Sequence, residues 1–205
     1  PSHPLLQHAH AVMFEPSAVE PAVDARPYGA YCIMNYGDRI AIINPMTQPM
    51  GWALEGEFQL GSQDSFNWAY SRSTIHFFQG QIGSEWTATM PNSIVSAGLA
   101  NRSILLEEDD GVFSALDTHS GTLRWQTSLP KDPILISPPQ SSSPVFAWSN
   151  GVTANLKSST GLIDNVWHLR GLPIALWDFD GDRALLLVDV GAQNEVQVLR
   201  TDLHL

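Results

Sequence analysis

Cysteine is almost missing from this chain: Cys32 stands alone in 205 residues, so no internal disulfide framework can form. A single thiol of this kind reads as a small buried strand residue. Lysine is nearly as scarce, with Lys131 and Lys157 alone. Ten basic side chains face 21 acidic ones, a formal net charge of −11. No window clusters Lys and Arg as phosphate contacts require, which excludes nucleic acid as a partner. No apolar run approaches the ~20 residues of a transmembrane helix. No segment of more than about ten residues holds a 3.6-residue period, so helix is expected to be nearly absent. No serine sits in a G-x-S-x-G elbow and no histidine lies in a motif that would make it a base, which removes nucleophilic hydrolysis.

What remains is an acidic chain with 43% hydrophobic and 15% charged residues and seven tryptophans, a composition suited to a packed core. Its clearest stretch is Ser103 to Pro130, SILLEEDDGVFSALDTHSGTLRWQTSLP. Short apolar runs (Ile104 to Leu106, Val112 to Leu116, Leu123 with Trp125) are cut by Asp109-Asp110-Gly111 and His119-Ser120-Gly121, which predicts three strands and two turns. The first cut has the Asp-Gly hairpin signature. In the second, Asp117 and Ser120 can hold the turn through their side chains while Gly121 takes a left-handed conformation.

The unit recurs. Leu116, Asp117, Ser120, Gly121 and Trp125 have counterparts in Asn44, Thr47 and Trp52, where Gln48 replaces the glycine, and in Thr160, Gly161 and Trp167, where two more residues precede the tryptophan. A looser copy ends at Trp86. Successive tryptophans are therefore roughly 40 residues apart, the interval of one four-stranded propeller blade. This order resembles the repeat of the pyrroloquinoline-quinone-type β-propellers, Ala-Leu-Asp-x-x-Thr-Gly-x-x-x-Trp. The resemblance implies an all-β propeller of about five four-stranded blades, with Trp52, Trp86, Trp125 and Trp167 in its core.

Residues 1–27 carry five prolines and no sustained period, and are expected to form an arm or linker ahead of a propeller domain at 28–205. Leu5 to Phe14 can add a strand. Repeats are expected at 28–57, 58–91, 93–130, 144–173 and from 174 onward, with 131–144 as a long loop. An open edge strand invites aggregation. The chain therefore either closes as a small ring, its N-terminal arm completing the last sheet, or forms an arc completed by a partner, or is a piece of a longer propeller. The ring is preferred.

The quinone-dependent dehydrogenases that share this repeat hold a cofactor and calcium on the propeller axis, with a catalytic carboxylate and commonly adjacent cysteines. This chain has one cysteine and too few repeats for the usual eight blades, so the resemblance implies architecture without the enzyme or its quinone. Asp178, Asp180 and Asp182 are the candidate calcium ligands, because alternate carboxylates in a tight loop converge on a hard cation. They resemble the DxDGD loop of integrin-type propeller repeats, with Arg183 where glycine is wanted and Leu186 where another carboxylate is. Glu107 to Asp110 reads as a solvated hairpin tip, and His3, His8 and His10 as a solvated tail. Trp68, Trp148 and Trp177 are expected to pack near the axis.

The function that follows is a non-catalytic scaffold or accessory subunit that binds other protein subunits in a larger assembly, periplasmic or secreted. The alternative is a carbohydrate-binding propeller, since aromatic plates beside amides hold sugar rings.

Overall fold

The computed structural model describes residues 10–13, 22–43, 50–63, 65–79, 85–100, 102–136, 143–180, 183–189 and 194–200. Its regular elements are β-strands apart from one 3-10 turn, and no α-helix occurs among the described residues. The chain divides into two compact units, Pro1–Ala97 with Thr118–Thr122, and Gly98–Asp117 with Leu123–Leu205.

The first unit holds two antiparallel sheets. In one, β2 (Asp24–Tyr28), β3 (Tyr31–Asn35), β4 (Arg39–Ile43) and β5 (Met50–Glu55) follow one another, and β1 (His10–Met13) pairs with the far side of β5. Among the described residues the proline-rich segment 1–27 thus contributes β1 and most of β2, and β1 joins the first sheet where the closed ring would have the arm join the last. The other sheet runs β6 (Gln59–Gln63), β7 (Phe66–Tyr70), β8 (Thr74–Gln79) and β9 (Trp86–Thr89) in sequence order.

Central strands are buried on both faces: Ile75, His76, Phe77 and Phe78 of β8 are all buried, as a strand covered on two sides must be. The unit's core joins Ile33, Ile40 and Leu54 of the first sheet to Phe78 of the second, with Tyr28 edge-on to Phe78 at 5.6 Å. Side-chain amides tie the sheets where apolar contact ends. Asn35 Nδ2 donates to the Phe58 carbonyl (2.8 Å) and Asn67 Nδ2 to that of Pro27 (2.9 Å), so buried polar groups are paired across the seam.

Three sheets make up most of the second unit. The third comprises β10 (Ile94–Ala100), β11 (Ser103–Glu108), β12 (Val112–Asp117) and β13 (Leu123–Ser128). The fourth comprises β14 (Ile134–Leu135), β15 (Val145–Ala147), β16 (Val152–Leu156) and β17 (Ile163–His168). The fifth comprises β18 (Leu172–Asp180), β19 (Arg183–Asp189) and β20 (Asn194–Arg200). Leu105, Phe113, Ala115 and Trp125 of the third sheet pack against Phe146, Ala154 and Leu156 of the fourth, with Phe113 and Phe146 edge-to-face at 5.1 Å. Burying such a side chain contributes about 1.5–3 kcal/mol.

One local expectation holds and one changes. Asp109–Gly111 closes the expected hairpin as a 3-10 turn, with Glu108 and Val112 paired at its base and Gly111 at φ +72°, and the Gly111 carbonyl accepts the Leu129 amide at 2.9 Å. The expected loop at 131–144 contains β14, paired with β15 through Ile134↔Ala147 and Leu135↔Phe146.

Candidate functional site

The turns between the last two strands of the third and fourth sheets are built alike. Between β12 and β13, Ser120 Oγ accepts the Thr122 amide (3.4 Å), and between β16 and β17, Thr160 Oγ1 accepts that of Leu162 (3.4 Å). The Lys157 carbonyl accepts the amides of Thr160 (3.1 Å) and Gly161 (2.8 Å). Gly121 and Gly161 sit at φ +69° and +70°, the left-handed region that disfavours a side chain.

Each turn is a seat for a tryptophan. In the first unit, Trp86 stacks on Phe77 (5.0 Å between centroids), lays its ring on Gly121 and donates its Nε1 proton to the Thr118 carbonyl at 2.8 Å. In the second unit, Trp125 lies on Gly161 and donates to the Ser158 carbonyl at 2.8 Å. A Cβ on Gly121 would lie 2.7 Å from the Trp86 ring, and one on Gly161 2.4 Å from that of Trp125. The glycine is thus required twice, by backbone angle and by ring contact. Both indoles are buried.

Trp167 departs from this scheme by two residues. In the third sheet, Leu116 opposes Leu123 and Ala115 opposes Trp125, across a bulge. In the fourth, Leu156 opposes Ile163 and Asn155 opposes Asn165 across the corresponding bulge, and Trp167 faces Thr153. Asn165 therefore holds the position equivalent to Trp125, and its amide donates to Asn155 Oδ1 (2.7 Å). Trp167 points to the same face one period further on and is only half-buried. Trp52 lies in β5 opposite Ile42, its side chain outside the described part, and Asn44 and Thr47 lie outside the described residues. Leu116 is buried and Asp117 half-buried at the end of β12.

Of the candidate calcium ligands, Asp178 and Asp180 lie in β18 by backbone, with Asp178 opposite Ala184 and Asp180 opposite Arg183. Their side chains and the whole of Asp182 fall outside the described part, as do His3, His8 and the His10 side chain. Among the described residues no three His, Cys, Asp or Glu side chains converge as a metal site requires.

Within the acidic run 107–110 the expected solvated tip holds for the exposed Asp109 and fails at Glu108. Glu108 is 1% exposed. The Ser114 hydroxyl donates to its Oε1 (2.5 Å) and Gln126 Nε2 donates to the same oxygen (3.3 Å), a polar ladder across three strands. Tyr28 and Glu85, both buried, form a second such pair, the phenol donating to Glu85 Oε1. Burial first, then the Glu85 carboxylate, pushes the Tyr28 phenol well above its ordinary range. Cys32 is half-buried and its thiol is pushed up by desolvation, against a smaller opposing hydrogen bond from the Arg26 backbone. Nothing in the spacing of Glu85, Asn35 or Asn67 marks them in the sequence, because each acts through a partner that only the fold brings near.

Apolar side chains stand out on the outer strands of the second unit. Leu123 at the start of β13 is 55% exposed; Leu162 is 62%, Ile163 51% and Val166 39% exposed at β17. Trp68 and Trp148 are buried, the latter donating Nε1 to the Pro130 carbonyl at 3.1 Å, so neither offers a plate to a sugar ring. The side chain of Trp177 lies outside the described part.

No protein-family model matches the chain and no curated protein matches its sequence. Solved structures match in shape. BamB from Moraxella catarrhalis superposes with a TM-score of 0.55 at 14% identity, over 87% of this chain and 60% of its own. BBS1N, crystallised in complex with ARL6DN, gives 0.54 at 14% over 92% and 67%. The dihydro-heme d1 dehydrogenase NirN, in complex with DHE, gives 0.58 at 11% over 87% and 48%. The chain thus spans 60% of the length of BamB and 48% of NirN. Such likeness with so little shared sequence establishes architecture and leaves chemistry open: the fold is that of a β-propeller.

Proposed function

We propose that this chain is a propeller of the pyrroloquinoline-quinone repeat type that works without catalysis, as a protein-interaction platform or accessory subunit of a larger extracytoplasmic assembly. The repeat-type assignment draws support from the paired docks of Trp86 on Gly121 and Trp125 on Gly161. The observation that carries the interaction role is the set of apolar residues presented on outer strands beside these docks, Leu123, Leu162, Ile163 and Val166. Large apolar side chains left in solvent on a well-anchored sheet are what a protein partner covers. BBS1N, a propeller of similar shape, was crystallised with a protein partner, while NirN, a dehydrogenase, is a reminder that the fold alone leaves the choice open. The scarcity of lysine and the repeat type support the extracytoplasmic placement.

A photo-crosslinking residue placed at Leu123 or Ile163 in the native cell tests the role. Cross-links to one discrete protein that co-elutes with the chain in fixed stoichiometry are expected. A purified chain that carries a quinone chromophore and oxidises alcohols would end the proposal.

A further inference from the structure

The first sheet shows what an outer strand of this fold accepts. β5 would end its sheet, yet β1, with sequence His-Ala-Val-Met, lies antiparallel along it in the register His10↔Ala53 to Met13↔Met50. In the fourth sheet β17 occupies the corresponding outer position and, among the described residues, ends the sheet. Its amides divide by parity. Leu169 donates to the Gly151 carbonyl (2.9 Å) and Asn165 to Asn155 Oδ1 (2.7 Å), so the odd-numbered amides face β16. In an antiparallel ladder the alternate residues then present both N–H and C=O outward, which places those of Val166 and His168 on the open side.

Around that edge lie Leu162, Ile163 and Val166, all well exposed, with Asp164 between them. The Asp164 carboxylate lies 3.4 Å from Lys157 Nζ, which is itself more than half exposed, a pairing that a second cation can replace at little cost. A protein with an edge to protect places several charges or proline there; β17 offers Ile-Asp-Asn-Val-Trp-His, with one carboxylate and no proline or lysine.

We propose that β17 is a strand-addition site. It takes an extended segment of a partner protein in which large apolar residues alternate with Lys or Arg, pairing by backbone with Val166 and His168 and setting a cation opposite Asp164. This rests on the interaction-platform role and gives that role a place and a partner chemistry. The net charge of −11 favours a basic segment and opposes a second copy of this chain on the same edge. Main-chain bonds supply affinity, and the alternating side chains supply selection.

The probe is a peptide of alternating valine and lysine that spans the six residues of β17, added to the full chain and followed by amide hydrogen exchange and anisotropy. The Val166 and His168 amides should slow in exchange on adding it, and the otherwise identical valine–glutamate peptide should bind at least tenfold more weakly. Val166→Pro removes an outward N–H without touching the ladder to β16 and should abolish both signals. Val166→Lys, which keeps the backbone intact and places a charge on the edge, guards against a folding defect and should weaken the lysine peptide as well. Exchange at Val166 and His168 unmoved by the peptide, or slowed equally in Val166→Pro, overturns the proposal. So does protection of those amides that grows with protein concentration and no peptide, which assigns the edge to a second copy. A partner that still cross-links from Leu123 in the Val166→Pro chain leaves the platform standing and removes strand addition. The absence of any cross-linked protein from either outer strand removes the platform itself.

Discussion

Gly161→Ala isolates the device that holds successive sheets together. Two separate costs arise at this position. A side chain at φ +70° costs about 1–2 kcal/mol through the clash of Cβ with the following carbonyl. The new Cβ also lies 2.4 Å from the Trp125 ring, so the indole has to move, and overpacking of this kind costs about 1–3 kcal/mol. Moving the ring also strains its bond to the Ser158 carbonyl, which is part-buried. Against these stands the entropy that alanine removes from the unfolded chain, about 0.4–1 kcal/mol in favour of folding. The net loss is about 3 kcal/mol, at the large end for a single methyl group. For a chain of this length, each kcal/mol moves Tm by about 2–4 °C, so the midpoint should fall by about 6–12 °C. Urea unfolding followed by tryptophan fluorescence measures the same loss. The decisive comparison is a double-mutant cycle. With Trp125→Ala already present, only the backbone cost remains, about 1 kcal/mol after the entropy gain, leaving a coupling of about 1–3 kcal/mol between the two positions. Equal costs for Gly161→Ala in both backgrounds would refute the docking argument, whatever their size.

Glu108→Ala should cost about 1–3 kcal/mol, because Ser114 and Gln126 lose a buried acceptor; a denaturation midpoint equal to that of the parent would return Glu108 to the solvated tip. Tyr28 gives a pH signature. Its phenol is held neutral in the folded chain, whereas in the unfolded chain it ionises near its usual value of about 10. Stability from this group is therefore whole below about pH 10 and drains away above it, by up to about 1.4 kcal/mol per pH unit. Tyr28→Phe should lose that alkaline slope, and parallel stability curves for the two chains between pH 9 and 11 would contradict it. Cys32, its thiol pushed up by burial, should react with a disulfide reagent more slowly than a free thiol at neutral pH and accelerate as pH rises; reaction at the rate of a small-molecule thiol would show it open and ionised.

Strand by strand, legibility followed burial. β8, β11 and β12 are covered on both faces, so their residues are mostly apolar, interrupted only by His76 in β8 and Ser114 in β12 between the strand ends, and betray a strand on sight. β6, with Leu60 the only large apolar residue in Gln59–Gln63, and the two-residue β14 leave no such trace, because an inner edge strand is specified by the neighbour it pairs with and hardly by its own side chains. The second turn was readable for the opposite reason: Gly121 and Ser120 are fixed by local backbone chemistry, which sequence encodes directly. Glu108 deceived because four consecutive carboxylate positions look alike in a string. Strand parity sends Glu108 inward, and a serine and a glutamine on the next two strands await it.

The displaced tryptophan of the fourth sheet joins these threads. At the third sheet the equivalent residue is Trp125, which reaches the next turn and is buried by it. At the fourth, Asn165 takes the docking position and Trp167 falls two residues later. Two residues is one full strand period, so the indole keeps its face while losing its seat. A half-buried ring then remains on the very strand whose neighbours Ile163 and Val166 are exposed. Replacing Asn165 with Trp and Trp167 with Thr would restore the scheme of the third sheet without altering the pattern of faces. If the displacement is what leaves β17 apolar and open, the restored chain should gain stability and lose affinity for an extended basic peptide together, whereas a gain in stability with unchanged binding would separate the two.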